Sequence, residues 1–262
     1  MSQLIDKLNQ VSKAVLQPMG FRAAKSGSAK PKMLLIASIA PAENVDSLAD
    51  YVTGANAVLL PITKSSSGAK NLQKLVQSLP DIPWGGWLRD IDEKGIGKLV
   101  KVGCDFVVFP ATGKVLDIPQ DDKVGKILQV ESSLNEGLLK TVNELPVAAI
   151  LTAAEPEGEY SLSWHHLMLF QRLANLLSKP LLASIPLKTT ASELKSLWEA
   201  GVDGVVVEVG KGQPIEKLRE LRQAIDDLIP LPPRRWGKTG AVLPHFGEAV
   251  DTASDIEEEE EE

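Results

Sequence analysis

The chain has 262 residues, 44% of them hydrophobic, which is the balance of a soluble globular protein with room for one large domain. Its single cysteine, Cys104, excludes a disulfide framework and a multi-cysteine zinc site and suits a reducing compartment, here the cytoplasm. Glu257 to Glu262 supply six of the net charge of −7, so the body is almost neutral and has no broad basic face for nucleic acid; no run of about 20 apolar residues predicts a membrane span.

In chain order, "SQLIDKLNQVSKAVLQ" comes first, with Leu4, Leu8, Val11 and Val15 spaced to share one helix face. That face packs either on the body or on a partner, the latter being a route to a homo-oligomer. "AAKSGSAKPK" then has linker composition, so residues 1–32 read as an N-terminal helix and linker. From Met33 the runs "MLLIAS", "AVLLPI", "PWGGWLR", "FVVFPA", "KILQVE", "VAAILTA", "PLLASIP" and "GVVVEV" follow, most of them separated by amphipathic helical stretches. Near-continuous apolar strands alternating with helices require a parallel sheet covered on both faces, and eight such units predict a single (β/α)8 TIM barrel over residues 33–230.

A repeat supports this architecture. "TGANAVLLPI", "VGCDFVVFPA" and "AGVDGVVVEV" share a helix-ending Gly, one residue, Asn or Asp, then a strand. Glycine supplies a left-handed helix end and the short polar residue turns the chain back into the barrel. The Pro- and Asp-rich segment after the fourth strand predicts a short helix or loop. Residues 231–262 form a C-terminal extension ending in an acidic tail predicted to be disordered, since a run of like charge buries no apolar area; a basic partner or solubility alone would explain it.

In such barrels the chemistry sits where strands end and βα loops begin. Ser38, Thr63, Arg89, Thr112, Gln129, Glu131, Thr152, Glu155, Ser184 and Glu208 are among the residues that reach that face. No lysine lies within the fifth or sixth strand beyond Lys126, which argues against imine chemistry, and the three histidines are too few and too scattered for zinc. An oxygen-ligand site remains. Gln129 and Glu131, two residues apart, face the same side of strand five, and Glu155 closes the neighbouring strand. Two carboxylates there can share a hard divalent cation, Mg²⁺ or Mn²⁺, with Arg89 near the same mouth to pair with a carboxylate or stabilise an enolate. The alternative is that Glu131 bridges to Arg89 or Lys64, or caps the helix that begins in "ESSLNEG".

"KILQVESSLNEGLLKTVNELPVAAILTAAE" and "WLRDIDEKGIGKLVKVGCDFVVFPAT" resemble consecutive units of the HpcH/HpaI-type aldolases and citrate lyase β-like proteins of the phosphoenolpyruvate/pyruvate barrel superfamily. The resemblance implies metal-ligand roles for Glu131 and Glu155, an enolate-stabilising role for Arg89 and a substrate-neighbouring role for Gln129. The chain departs from the family in "LLPITKSSSG", which has no histidine where the aldolases carry an acidic–His pair, and in Glu155 where Asp is usual. The expected function is a divalent-metal-dependent carbon–carbon lyase acting on a 2-oxo acid or acyl thioester, a small-molecule substrate held at the C-terminal face. Two alternatives stay open: a catalytically inactive barrel serving as a binding or scaffold protein, and a phosphate- or flavin-binding barrel resting on Gly210, Lys211 and Gly212.

Overall fold

A computed structural model describes residues 2–13, 32–39, 51–62, 73, 76–88, 93–113, 123–153, 162–210 and 214–228. Its strands are β1 (Leu34–Ile39), β2 (Ala57–Ile62), β3 (Trp84–Leu88), β4 (Phe106–Pro110), β5 (Gly125–Val130), β6 (Ala149–Ala153), β7 (Leu181–Ile185) and β8 (Gly204–Val209). All pair in parallel with their sequence neighbours and β8 returns to β1, closing the barrel. The helices are α1 (Gln3–Lys13), α2 (Glu93–Lys101), α3 (Glu136–Val142), α4 (Trp164–Leu176), α5 (Ala191–Ala200) and α6 (Ile215–Asp226). The predicted TIM barrel with its N-terminal helix is thus the fold; residues 14–31 and 229–262, which hold the linker and the acidic tail, lie outside the described residues.

Strand alternation divides the core in two. Leu35, Val58, Val107, Leu128, Ile150, Leu181 and Val205 belong to the layer between sheet and helices, while Ile36, Leu59, Phe106, Val108, Ile127, Leu151, Leu182 and Val206 fill the barrel. Following the registers round the barrel and allowing for its shear of about 8, the interior side chains sort into layers drawn from alternate strands. Ala57, Phe106, Ala149 and Gly204 form the lowest, then Ile36, Gly85, Ile127 and Leu182, then Leu59, Val108, Leu151 and Val206. Small residues face large ones within this stack: a Cβ on Gly85 would stand 2.4 Å from Phe106 Cε2.

The floor is closed by α1. Leu4 and Leu8 are fully buried and Val11 nearly so, all three in the interior cluster, so the helix packs on the body. Burying each contributes about 1.5–3 kcal/mol. Close approach needs the missing side chain of Gly125, where a Cβ would lie 2.6 Å from Ile5 Cγ1 and 2.7 Å from Ser2 Oγ.

The three repeats behave as expected at their glycines: Gly54, Gly103 and Gly201 have φ of 95°, 89° and 110°. Their polar residues diverge. Asn56 Oδ1 accepts from Leu35 N at 2.9 Å and Asp203 Oδ2 from Leu181 N at 2.9 Å, each clamping the preceding strand. Asp105 instead accepts from Ser2 Oγ, Gln3 N and Leu4 N at 2.8, 2.7 and 3.0 Å, holding the first turn of α1. A carboxylate suits that position because the amides of a helix start have no intrahelical acceptor and carry the positive end of its dipole.

One buried group is a defect in this packing. Thr152, fully buried on β6, has an Oγ1 without a hydrogen-bond partner among the described residues. Thr152→Val keeps the shape and removes the desolvated hydroxyl, so stability should rise by about 1 kcal/mol in urea unfolding; a fall would mean the hydroxyl is satisfied in solution.

Candidate functional site at the C-terminal mouth

Above the three apolar layers the chemistry changes. Ser38, Gln129 and Ser184 continue the inward phase of β1, β5 and β7, and with Trp87 of β3 they make the next layer. Ser38 is buried, and Trp87, Gln129 and Ser184 are half-buried, so this polar layer caps the apolar interior at the C-terminal end of the barrel. One step higher, Pro61, Pro110 and Glu208 face the axis. Glu208 is exposed, pairs in register with Ser38, and is the charged residue that the strand alternation turns inward among the described strands.

Within the polar layer Trp87 Nε1 donates to Gln129 Oε1 at 3.0 Å. Gln129 thus lies in the inward phase of β5, with its amide oxygen against the indole. Glu131 lies just past β5, exposed, with Ser133 Oγ donating to its Oε2 at 3.4 Å, a long contact. It does not cap the following helix; Asn135 does, accepting from Leu138 N at 2.9 Å. Arg89 and Glu155 lie outside the described residues, as do Lys64, Lys211 and Gly212. The described residues contain no group of three or more His, Cys, Asp or Glu able to hold a metal.

The rim is braced by helix caps. Ser163 and His166 form a capping box at the start of α4, while His165 is exposed. Glu193 closes the box of α5 by accepting from Thr190 N at 2.8 Å, and it also accepts from Leu162 N at 3.1 Å, tying the approach to α4 to the turn before α5. Burial alone would raise its carboxyl, but the hydrogen bonds from Thr190 and Leu162, with Lys188 nearby, hold it below the ordinary carboxylate range. Burial pushes the Cys104 thiol up to about 12, which disfavours its reactive thiolate form.

Ser38, Ser184 and Glu208 are legible in the sequence as residues reaching this face, although the expected site centres on Glu131 and Glu155. The signal for Glu208 is the same two-residue phase that places Gln129, read along "GVVVEV".

No protein-family model matches the chain, and no curated protein matches it. Among solved structures it is similar to two mutants of tryptophan synthase alpha-subunit from the hyperthermophile Pyrococcus furiosus. One has 13% identity and a TM-score of 0.55, the match covering 74% of this chain and 97% of that one. The other has 14% identity and a TM-score of 0.56, covering 75% and 97%. A cube-shaped designed protein cage made by fusing symmetric oligomeric domains matches at 15% identity and a TM-score of 0.51, covering 74% of this chain and 71% of that one. At such identities the likeness defines the class, a (β/α)8 barrel, and the fold alone.

These findings correct the resemblance to the HpcH/HpaI-type aldolases. The tryptophan synthase alpha-subunit belongs to a different TIM-barrel superfamily, and nothing supports the phosphoenolpyruvate/pyruvate branch. The phrases that carried the resemblance are barrel grammar: Gly103 ends a helix in the left-handed region, and Gln129 follows the inward phase of any such strand. Among the described residues no helix is long and apolar enough to cross a membrane.

Proposed function

We propose that the chain is a general acid–base enzyme acting on a small organic substrate at the C-terminal mouth, with Glu208 transferring the proton. The observation that carries this reading is the position of Glu208: an exposed residue that strand alternation turns toward the barrel axis, one layer above hydroxyl, amide and indole groups. A carboxylate so placed can take a proton from a bound molecule, while Ser38, Ser184 and Gln129 orient its polar atoms. The three apolar layers beneath offer no polar partner, so a substrate binds above them and within reach of Glu208.

Proton NMR of a mixture of small metabolites in D2O tests this with no substrate chosen in advance. The wild type should exchange a C–H proton of at least one component, and Glu208→Gln should slow that exchange on the order of 10²-fold. Equal rates for both proteins would end the proposal. Running the exchange with and without a chelator addresses a second reading, favoured by Glu131 following Gln129 in phase: an Mg²⁺ or Mn²⁺ ion held by Glu131 and Glu155 that assists a carbon–carbon lyase. Exchange that survives chelation favours Glu208 acting alone, and exchange that stops and returns with manganese favours the metal.

A further inference from the structure

We infer that the mouth recognises a carbonyl oxygen, and that Trp87 is the positioning residue that makes it do so by fixing which end of the Gln129 amide faces the ligand. The inference rests on the acid–base reading and names its substrate class: a small aldehyde or ketone with a proton on the carbon next to the carbonyl.

A glutamine amide is ambiguous, because it can present either an acceptor oxygen or a donor NH2, and free rotation lets it serve a ligand of either kind. An indole N–H can only donate. With Trp87 Nε1 3.0 Å from Gln129 Oε1, the oxygen is held toward the indole and Nε2, with its two donors, is turned away from it. Trp87 cannot adjust freely, since its ring packs against the interior cluster. Among the described residues Gln129 Nε2 has no hydrogen-bond acceptor, and the side chain is half-buried, so the donors remain accessible from the mouth.

Ser38 and Ser184, on other strands of the same layer, add hydroxyls to it. Glu208 stands one layer higher on β8 as an acceptor. Donors below and a carboxylate above match the demands of enolisation. The carboxylate takes the proton from the carbon beside the carbonyl; the C–H electron pair forms the new C=C bond, and the carbonyl π pair moves onto oxygen, where the Gln129 N–H stabilises the developing charge. Protonated Glu208 exchanges with solvent and returns a proton to carbon, so the step balances without a further reactant. A ligand presenting only donors would meet Nε2 head-on and be rejected.

Hydroxyacetone and 2-methylprop-2-en-1-ol, which share a hydroxyl and a methyl group and differ by C=O against C=CH2, are suitable probes with ¹⁵N-labelled full-length protein. Hydroxyacetone should shift the Gln129 side-chain NH2 resonances and the alkene, which lacks the carbonyl acceptor, should not. Trp87→Phe keeps an aromatic ring and removes the N–H, so apparent affinity for hydroxyacetone should fall about five- to tenfold, the worth of one oriented hydrogen bond. Gln129→Leu should abolish the preference for ketone over alkene, which guards against a Trp87→Phe protein that repacks. Unmoved Gln129 resonances, or equal preference in all three proteins, would overturn the inference. The two proposals fail separately: Glu208-dependent exchange that survives Gln129→Leu refutes carbonyl recognition alone, whereas intact Gln129 shifts with exchange indifferent to Glu208→Gln refute the acid–base reading alone.

Discussion

Leu8→Asp should destabilise the protein by about 4–5 kcal/mol, the largest effect expected of a single substitution in α1. Leu8 is fully buried among the interior side chains. Losing a buried leucine costs about 2–5 kcal/mol by itself, and a carboxylate against an apolar floor must either take up a proton or pull the helix out. Thermal unfolding should shift down by roughly 10–20 °C for a domain of this size. Leu8→Met, which conserves volume, should cost less than about 1.5 kcal/mol. Asp105→Ala should lie between them, because it strips the acceptor from Ser2 Oγ, Gln3 N and Leu4 N while leaving the apolar contacts in place. An unchanged midpoint for Leu8→Asp would mean that α1 does not close the barrel in solution.

Gly85→Val should cost about 3 kcal/mol or more, through overpacking rather than through loss of contacts. A Cβ on Gly85 would meet Phe106 Cε2, Cδ2 and Cζ at 2.4, 2.5 and 2.6 Å, and Phe106, 1% exposed, has no open space into which to swing. Phe106→Ala alone should also cost about 3–5 kcal/mol by leaving a cavity. Combined, the two should cost clearly less than their sum, because valine fills part of the volume the ring vacates. Urea unfolding of the four proteins measures the coupling, and strict additivity would show that the two positions do not touch.

Most of the architecture is legible in the residues. Near-continuous apolar runs mark the eight strands, and the Gly-x-Asn/Asp phrase marks three of the turns that feed them, because both are local demands of a parallel sheet under helices. What Asp105 does with its carboxylate is not local. Its phrase is the same as that around Asn56 and Asp203, yet its partners lie about a hundred positions back, at Ser2, Gln3 and Leu4. The floor helix competes for that acceptor, and nothing in the phrase announces the competition.

The mouth is legible in part for the same kind of reason. Phase along a strand places Gln129 correctly and would place Glu208 as surely, but two carboxylates on adjacent strands attract more weight than one carboxylate above serines. The contact between Trp87 and Gln129 depends on the stagger of the barrel, which brings side chains of alternate strands to one height. Stagger is a property of the closed sheet, so no single strand encodes it.

The diversion of Asp105 toward α1 separates two kinds of change that such a molecule can undergo. Anchorage is concentrated at one pole, where Asp105, Gly125 and the leucines of α1 interlock. The proposed site lies at the opposite pole, on side chains that carry little of that anchorage. If that proposal holds, exchanging Ser38, Ser184 or Glu208 for other polar groups would redirect which molecule is welcomed without loosening the foundation on which the vessel stands.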